Sequence, residues 1–134
     1  MKNSLVIDTS DRVARLGIFQ DDKLADKIEW EAHRELSKTF YTKLDELLGR
    51  NSLSCNDLSS IIVVRGPGSF TGLRIGIVIV NAFSYSLGVE TAGVIQKEKM
   101  PLEEIYNVGK KDLKKGQIIE PFYGREPNIT TKKK

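Results

Sequence analysis

The chain has little of what most small active sites are built from. Its 134 residues include one cysteine, Cys55, and one histidine, His33. A single cysteine excludes an intramolecular disulfide and a cysteine-rich zinc site. It also points to a reducing, cytoplasmic location. His33 has no second histidine to complete a zinc site or a triad. With Arg34 and Glu35 beside it, it reads as an ordinary residue at a helix start. Ser10 and Ser69 have no evident base nearby, and Cys55 reads as a loop residue. No nucleophile and no metal-ligand set emerges, so neither catalysis nor a cofactor is expected. Long apolar runs are missing too, and none approaches the ~20 residues that cross a bilayer. The opening Met1–Asp8 contains only Leu5-Val6-Ile7 in an unbroken apolar row, the mark of a strand rather than a signal peptide.

What is present suits one soluble domain: 40% apolar residues, 29% charged residues, and length for a single core. The net charge of +3 is uneven. Residues 1–109 hold 13 basic and 15 acidic side chains, whereas residues 110–134 hold 8 and 3. The body is mildly acidic and the tail basic. Lys132-Lys133-Lys134 carry no interleaved aromatics of the kind that stack bases. They read as a solvated end whose contact with RNA would be indirect or weak.

Along the chain, Leu5-Val6-Ile7, Val13 to Phe19 and Leu24 to Ala32 read as three strands. Polar turns at Asp8–Asp11 and Gln20–Lys23 separate them and make an antiparallel meander. The period then changes. Leu36, Phe40, Leu44, Leu47 and Leu48 recur at helical spacing, and Gly49 sits where a helix-closing glycine belongs. Ile61-Ile62-Val63-Val64 reads as a central strand buried on both faces. Thr71 to Leu87 has strand-forming residues but is too long for a typical strand. Ser69 or Thr71 can cap its start and Gly88 its end, so it reads as a helix apolar nearly all round. Val89 to Ile95 is a last strand, and Pro101 can sit in the first turn of a further helix carrying Leu102, Ile105 and Tyr106. The order β-β-β-α-β-α-β implies an α/β domain: a mixed five-stranded sheet with helices packed on it. Ribonuclease-H-like domains and each half of actin-like ATPases share that arrangement.

Gly66-Pro67-Gly68-Ser69-Phe70-Thr71-Gly72-Leu73-Arg74-Ile75-Gly76 has the look of a phosphate cradle between a strand and a helix. It fails the specific patterns. No lysine occurs in it, so it is not a P-loop. Thr71 stands where the dinucleotide fingerprint needs its third glycine. Gly72 and Gly76 lie one turn apart on a single helical face. Two glycines there cost about 1 kcal/mol each, which favours close packing or partner contact over catalysis. Asp8-Thr9-Ser10 occupies the place where actin-like ATPases hold phosphate and metal. It lacks their glycines, and a lone Asp makes a poor metal site.

Leu5-Val6-Ile7-Asp8-Thr9-Ser10 and the unbroken run Gly66–Gly76 resemble the opening strand and signature segment of the TsaB (YeaZ) family. The likeness extends over residues 4–95. Pro121-Phe122-Tyr123-Gly124-Arg125 is similar to the Pro-x-Tyr-x-Arg segment at the C-terminus of full-length members. The resemblance implies a TsaB-like domain over 1–96, a short helical connection over 97–118 in place of a second domain, and a C-terminal segment over 119–134 with the basic tail. It further implies a non-catalytic scaffold that supports the TsaD subunit in threonylcarbamoyladenosine modification of tRNA at adenosine 37. Homodimers in isolation and contact with the ATPase subunit TsaE follow from the same resemblance. Carried onto this chain, the partner surface falls on the two helices: Leu36, Phe40, Leu44, Leu47, Gly72, Leu73, Arg74, Gly76, Ile77, Val80 and Phe83. The competing expectation is a small-anion or nucleotide-binding enzyme using the Gly66–Gly72 loop. A peptidase, a third class, lacks a nucleophile–base pair.

Overall fold

The computed structural model describes residues 2–124. The end with Arg125 and Lys132–Lys134 lies outside that range. Strand β1 (Asn3–Asp8) pairs antiparallel with β2 (Val13–Gln20), and β2 pairs with β3 (Lys23–Glu31). Asp21 and Asp22 form the β2–β3 turn with φ of 50° and 74°. Positive φ at both central residues matches the right-handed twist of a tight hairpin. β4 (Ser60–Gly66) then lies parallel to β1 on its other side, with Leu5 opposite Ile61 and Ile7 opposite Val63. β5 (Glu90–Ile95) lies parallel to β4, and the two-residue β6 (Lys114–Lys115) closes the edge antiparallel to β5. The sheet order is β3-β2-β1-β4-β5-β6. The mixed α/β architecture is as expected, but with six strands instead of five. A two-residue lysine pair carries no hydrophobic pattern, so β6 forms only because β5 offers it an open edge.

Helices α1 (Leu36–Arg50) and α2 (Phe70–Leu87) cover one face of the sheet. The larger core lies beneath them: Leu5 and Ile7 of β1, Leu16 and Ile18 of β2, and Ile61 and Val63 of β4 meet Phe40, Leu44, Leu47 and Val80. Full burial of each such side chain stabilises the fold by about 1.5–3 kcal/mol. The alternate residues Val6, Ile62, Val64, Ala92 and Val94 point to the other face. There they meet helix α3 (Leu102–Gly109) through Leu102, Ile105 and Tyr106, with Phe19 and Tyr106 stacked at 4.3 Å. The stretch read as a connection thus supplies the second layer. Pro101 stands one residue before α3 rather than within it.

Helix ends follow the chain's capping residues with one exception. Ser69 Oγ accepts a hydrogen bond from the Gly72 N–H, and Gly88 closes α2 in the left-handed conformation, φ 66°. Gly49, read as a closing glycine, is instead the penultimate residue of α1. The residue with positive φ is Ser52, at 57°. The asparagine at position 51 lets the helix run on, because its side-chain amide donates to the Leu47 carbonyl while its N–H reaches Leu48.

Candidate functional site

The carboxyl ends of β1, β4 and β5 and the start of α2 enclose a cleft of about 520 Å³. The polypeptide turns to opposite sides from β1 and β4, and such switch points are where open α/β sheets hold ligands. Asp8, the last residue of β1, lies at the floor. Its carboxylate is fully engaged. One oxygen accepts from the Ser10 N–H at 3.0 Å and the Ser10 hydroxyl at 2.6 Å. The other accepts from Arg15 Nη2 at 2.6 Å, Arg15 Nε at 3.1 Å and Gln96 Nε2 at 3.2 Å. Burial alone would push this carboxyl up. The two Ser10 hydrogen bonds and the Arg15 guanidinium outweigh it and hold the group below its ordinary value. Arg15 and Gln96 are themselves locked: Arg15 also donates to Gln96 and to the Met100 carbonyl, and the Met100 N–H donates to Gln96. An acid with its lone pairs already filled and a guanidinium against it is a structural ion pair, not a metal ligand. Among the described residues no cluster of three or more His, Cys, Asp or Glu could hold a metal ion.

The sequence reads Asp8–Asp11 as a polar turn, and the Asp8 carboxylate caps it through Ser10. Arg15 and Gln96 were missed. They sit on β2 and after β5, and only the sheet order brings them to the end of β1. The rim above them is basic. Arg12, Arg34, Lys97 and Lys99 line the cleft, with Arg12 paired to Glu31 at 3.1 Å. Among the described residues Arg34, Lys97 and Lys99 form no ion pair.

Gly72 and Gly76 answer to this same strand end. A Cβ on Gly72 would lie 2.3 Å from the Thr9 carbonyl oxygen, and one on Gly76 would lie 2.4 Å from Thr9 Oγ1. Thr9 Oγ1 donates to the Gly72 carbonyl at 2.7 Å. The missing side chains therefore admit the turn after β1, not a second helix. The remaining residues expected to meet a partner mostly face inward as well. Leu36, Phe40, Leu44, Leu47, Leu73, Ile77 and Val80 are buried in the core, and Phe83 is half-buried against it. Arg74 alone of the set is exposed. Helical periodicity finds the apolar stripe, and an apolar stripe fills its own core first.

The opposite side of α2 carries a second surface. Phe70, Val78 and Tyr85 are 55%, 65% and 95% exposed. With Arg74 and Ala82 they follow one face of the helix at i+4 and, from Ala82 to Tyr85, i+3 spacing. Arg74 is the one charged residue among the eighteen of α2. This helix has the length and hydropathy to cross a membrane. Its capped start, its contact with Thr9 and its buried Leu73, Ile77 and Val80 instead make it a layer of the domain. Ser69, which lines the cleft, uses its hydroxyl oxygen to cap α2.

Comparison with known proteins agrees with this architecture. Residues 30–104 match the family model described as TsaD: tRNA N6-adenosine threonylcarbamoyltransferase. The chain is 26% identical over 123 residues to the tRNA threonylcarbamoyladenosine biosynthesis protein TsaB of Bacillus subtilis, covering 89% of this chain and 54% of that one. It is 38% identical over 63 residues to a tRNA N6-adenosine threonylcarbamoyltransferase of Geotalea uraniireducens, covering 47% of this chain and 18% of that one. The chain thus spans about half the length of the TsaB relative. Among solved structures, YeaZ from Pseudomonas aeruginosa superposes with a TM-score of 0.66 at 23% identity, over 71% of this chain and 44% of that one. Matched over more than half its length by the transferase family model and in fold by YeaZ, the chain belongs to that family, as a member of its TsaB (YeaZ) group.

Proposed function

We propose that this chain is a non-catalytic scaffold that docks on a transferase subunit of the TsaD type and supports threonylcarbamoyl modification of tRNA. The observation that carries the reading is the exposed ridge of α2: an apolar helix face, Val78 and Tyr85 included, with a single charge along its whole length. Contiguous exposed apolar surface marks interaction sites. The engaged Asp8 supports the non-catalytic half of the reading, since Arg15 occupies the carboxylate that a metal or phosphate site would need. The transferase subunit suits the ridge because residues 30–104, which include both helices, match its family model. A partner with a like domain offers a like helix face, so the two can pair quasi-symmetrically, and two copies of this chain can pair the same way in its absence. On this reading residues 1–96 form the docking domain.

The test is titration of the transferase subunit from the same organism, followed by calorimetry. Wild type should bind, and Val78→Arg, which puts a charge at the ridge centre, should weaken binding at least tenfold with the melting temperature unchanged. Absence of a complex, or a complex indifferent to Val78→Arg, refutes the reading.

One observation favours a second reading, a small-anion or nucleotide site. Arg34, Lys97 and Lys99 surround the strand-end cleft beside the start of α2. Calorimetry with ATP and ADP separates the two: heat abolished by Lys97→Ala and Lys99→Ala together supports the cleft, and none at millimolar ligand removes it.

A further inference from the structure

The segment after β6 is held against the domain as a strap. Ile119 is buried in the core beneath α2. The Asn81 amide of α2 clasps its backbone from both sides, donating to the Ile119 carbonyl at 3.0 Å and accepting from the Ile119 N–H at 2.9 Å. Arg65 donates to the Glu120 carbonyl, and the Phe122 N–H donates to the Arg65 carbonyl at 2.7 Å. Gly66 makes room for this: its φ of 142° suits glycine, and a Cβ there would lie 1.7 Å from the Phe122 carbonyl oxygen. These anchors place Tyr123 on Phe70, with ring centroids 4.9 Å apart and planes 24° from parallel. Arg74 lies over the same Phe70 ring at 5.1 Å.

Tyr123, Phe70, Arg74, Val78 and Tyr85 therefore run in one line. The α2 part of that line is about 27 Å long for eighteen residues and about 10 Å wide, roughly 270 Å². A standard interface buries about 800 Å² per partner. The helix ridge is too small by itself, and the surface continuous with its N-terminal end is the strap, with Tyr123 42% exposed.

We propose that the strap is part of the docking surface: Tyr123, held on Phe70, forms the end of the ridge and contacts the transferase subunit. This inference rests on the scaffold reading above. The occupant is the transferase subunit because residues 30–104, α2 included, match its family model, so it carries a like helix to lay against an apolar and aromatic ridge with one cation. An aromatic anchor at an interface is the type of residue whose truncation costs most.

The experiment measures the affinity of the full chain for the transferase subunit. Wild type, Tyr123→Ala, Tyr123→Phe and Val78→Arg are compared, with melting temperatures as the folding control. Tyr123→Ala is expected to weaken binding about tenfold and Tyr123→Phe less than twofold, because the ring and its stack on Phe70 remain. Asn81→Ala, which loosens the strap without touching Tyr123, is expected to weaken binding in the same direction. If wild type binds and Val78→Arg disrupts it while Tyr123→Ala binds within twofold of wild type, the strap proposal is overturned and the scaffold reading stands. If wild type does not bind, both fall. If Tyr123→Ala dissolves only a homodimer and leaves transferase binding intact, the ridge end belongs to self-association and the proposal is again overturned.

Discussion

Gly49 and Gly72 are both helical glycines, and alanine at each should move stability in opposite directions. At Gly72 the added Cβ would stand 2.3 Å from the Thr9 carbonyl oxygen, where ordinary contact begins at 3.4 Å. The obstacle is backbone, so no rotamer change relieves it. The helix must move by about 1 Å, which strains the Thr9 Oγ1–Gly72 hydrogen bond at 2.7 Å and the Ser69 N–H to Ser10 carbonyl bond at 2.8 Å. Overpacking of this kind costs about 1–3 kcal/mol, and a weakened buried hydrogen bond adds about 1 kcal/mol. Helix propensity returns about 1 kcal/mol on replacing glycine by alanine. The steric term wins, and Gly72→Ala should lose about 1–3 kcal/mol. At Gly49 nothing lies within 4 Å of the added carbon. Only the propensity term remains, and Gly49→Ala should gain about 0.5–1 kcal/mol. Urea unfolding followed by circular dichroism measures both. At about 4 °C per kcal/mol for a domain of this size, Gly72→Ala should lower the melting temperature by roughly 4–12 °C. A Gly72→Ala protein as stable as wild type would refute the Thr9 contact. A destabilised Gly49→Ala protein would mean that Gly49 does close α1 in the left-handed conformation after all.

Further predictions concern two buried ionisable groups. Asp8→Asn leaves the Arg15 guanidinium buried without its anion, and breaking one side of a buried pair costs about 3–5 kcal/mol; urea midpoints measure it, and a loss below 1 kcal/mol would show the pair to be solvated. The Asp8 carboxyl lies below its ordinary value of 3.8 when folded, so on acidification the unfolded chain takes up the proton first. Its contribution is present above about pH 4 and is lost as pH falls through the folded value; wild type should therefore lose stability below pH 4 more steeply than Asp8→Asn. For Tyr106, burial and then the 2.5 Å hydrogen bond to Asp22 push the phenol up to about 12. Its contribution holds below about pH 10 and is lost as pH rises through 12. The difference in tyrosinate absorbance between wild type and Tyr106→Phe should titrate near 12, and a midpoint near 10 would contradict the packing of α3.

Much of the fold was legible before any coordinates. The alternation of Leu5, Ile7, Leu16 and Ile18 with Val6 and Phe19, the helical row Leu36–Phe40–Leu44–Leu47 and the caps Ser69 and Gly88 are local signals, and local geometry obeys them. Strand β6 and the end of α1 were not legible. The first has no pattern of its own, and the second turns on the Asn51 side chain finding the Leu47 carbonyl.

The candidate site divides along the same line. Residue order by itself determined the meander, the strand–helix crossovers, the polar Asp8–Asp11 turn and the lack of a P-loop lysine in Gly66–Gly76, because each depends on neighbours a few positions apart. The tertiary structure alone decided what the special residues touch. Arg15 and Gln96 reach Asp8 from 7 and 88 positions away. Thr9 fills the space left by Gly72 and Gly76, 63 positions on in the first case. Tyr123 completes a ridge whose other members lie on α2. An apolar helix has two sides, and periodicity says only that one is buried. Which side the sheet takes, and which stays exposed, is settled when β1, β4 and the strap come together around it.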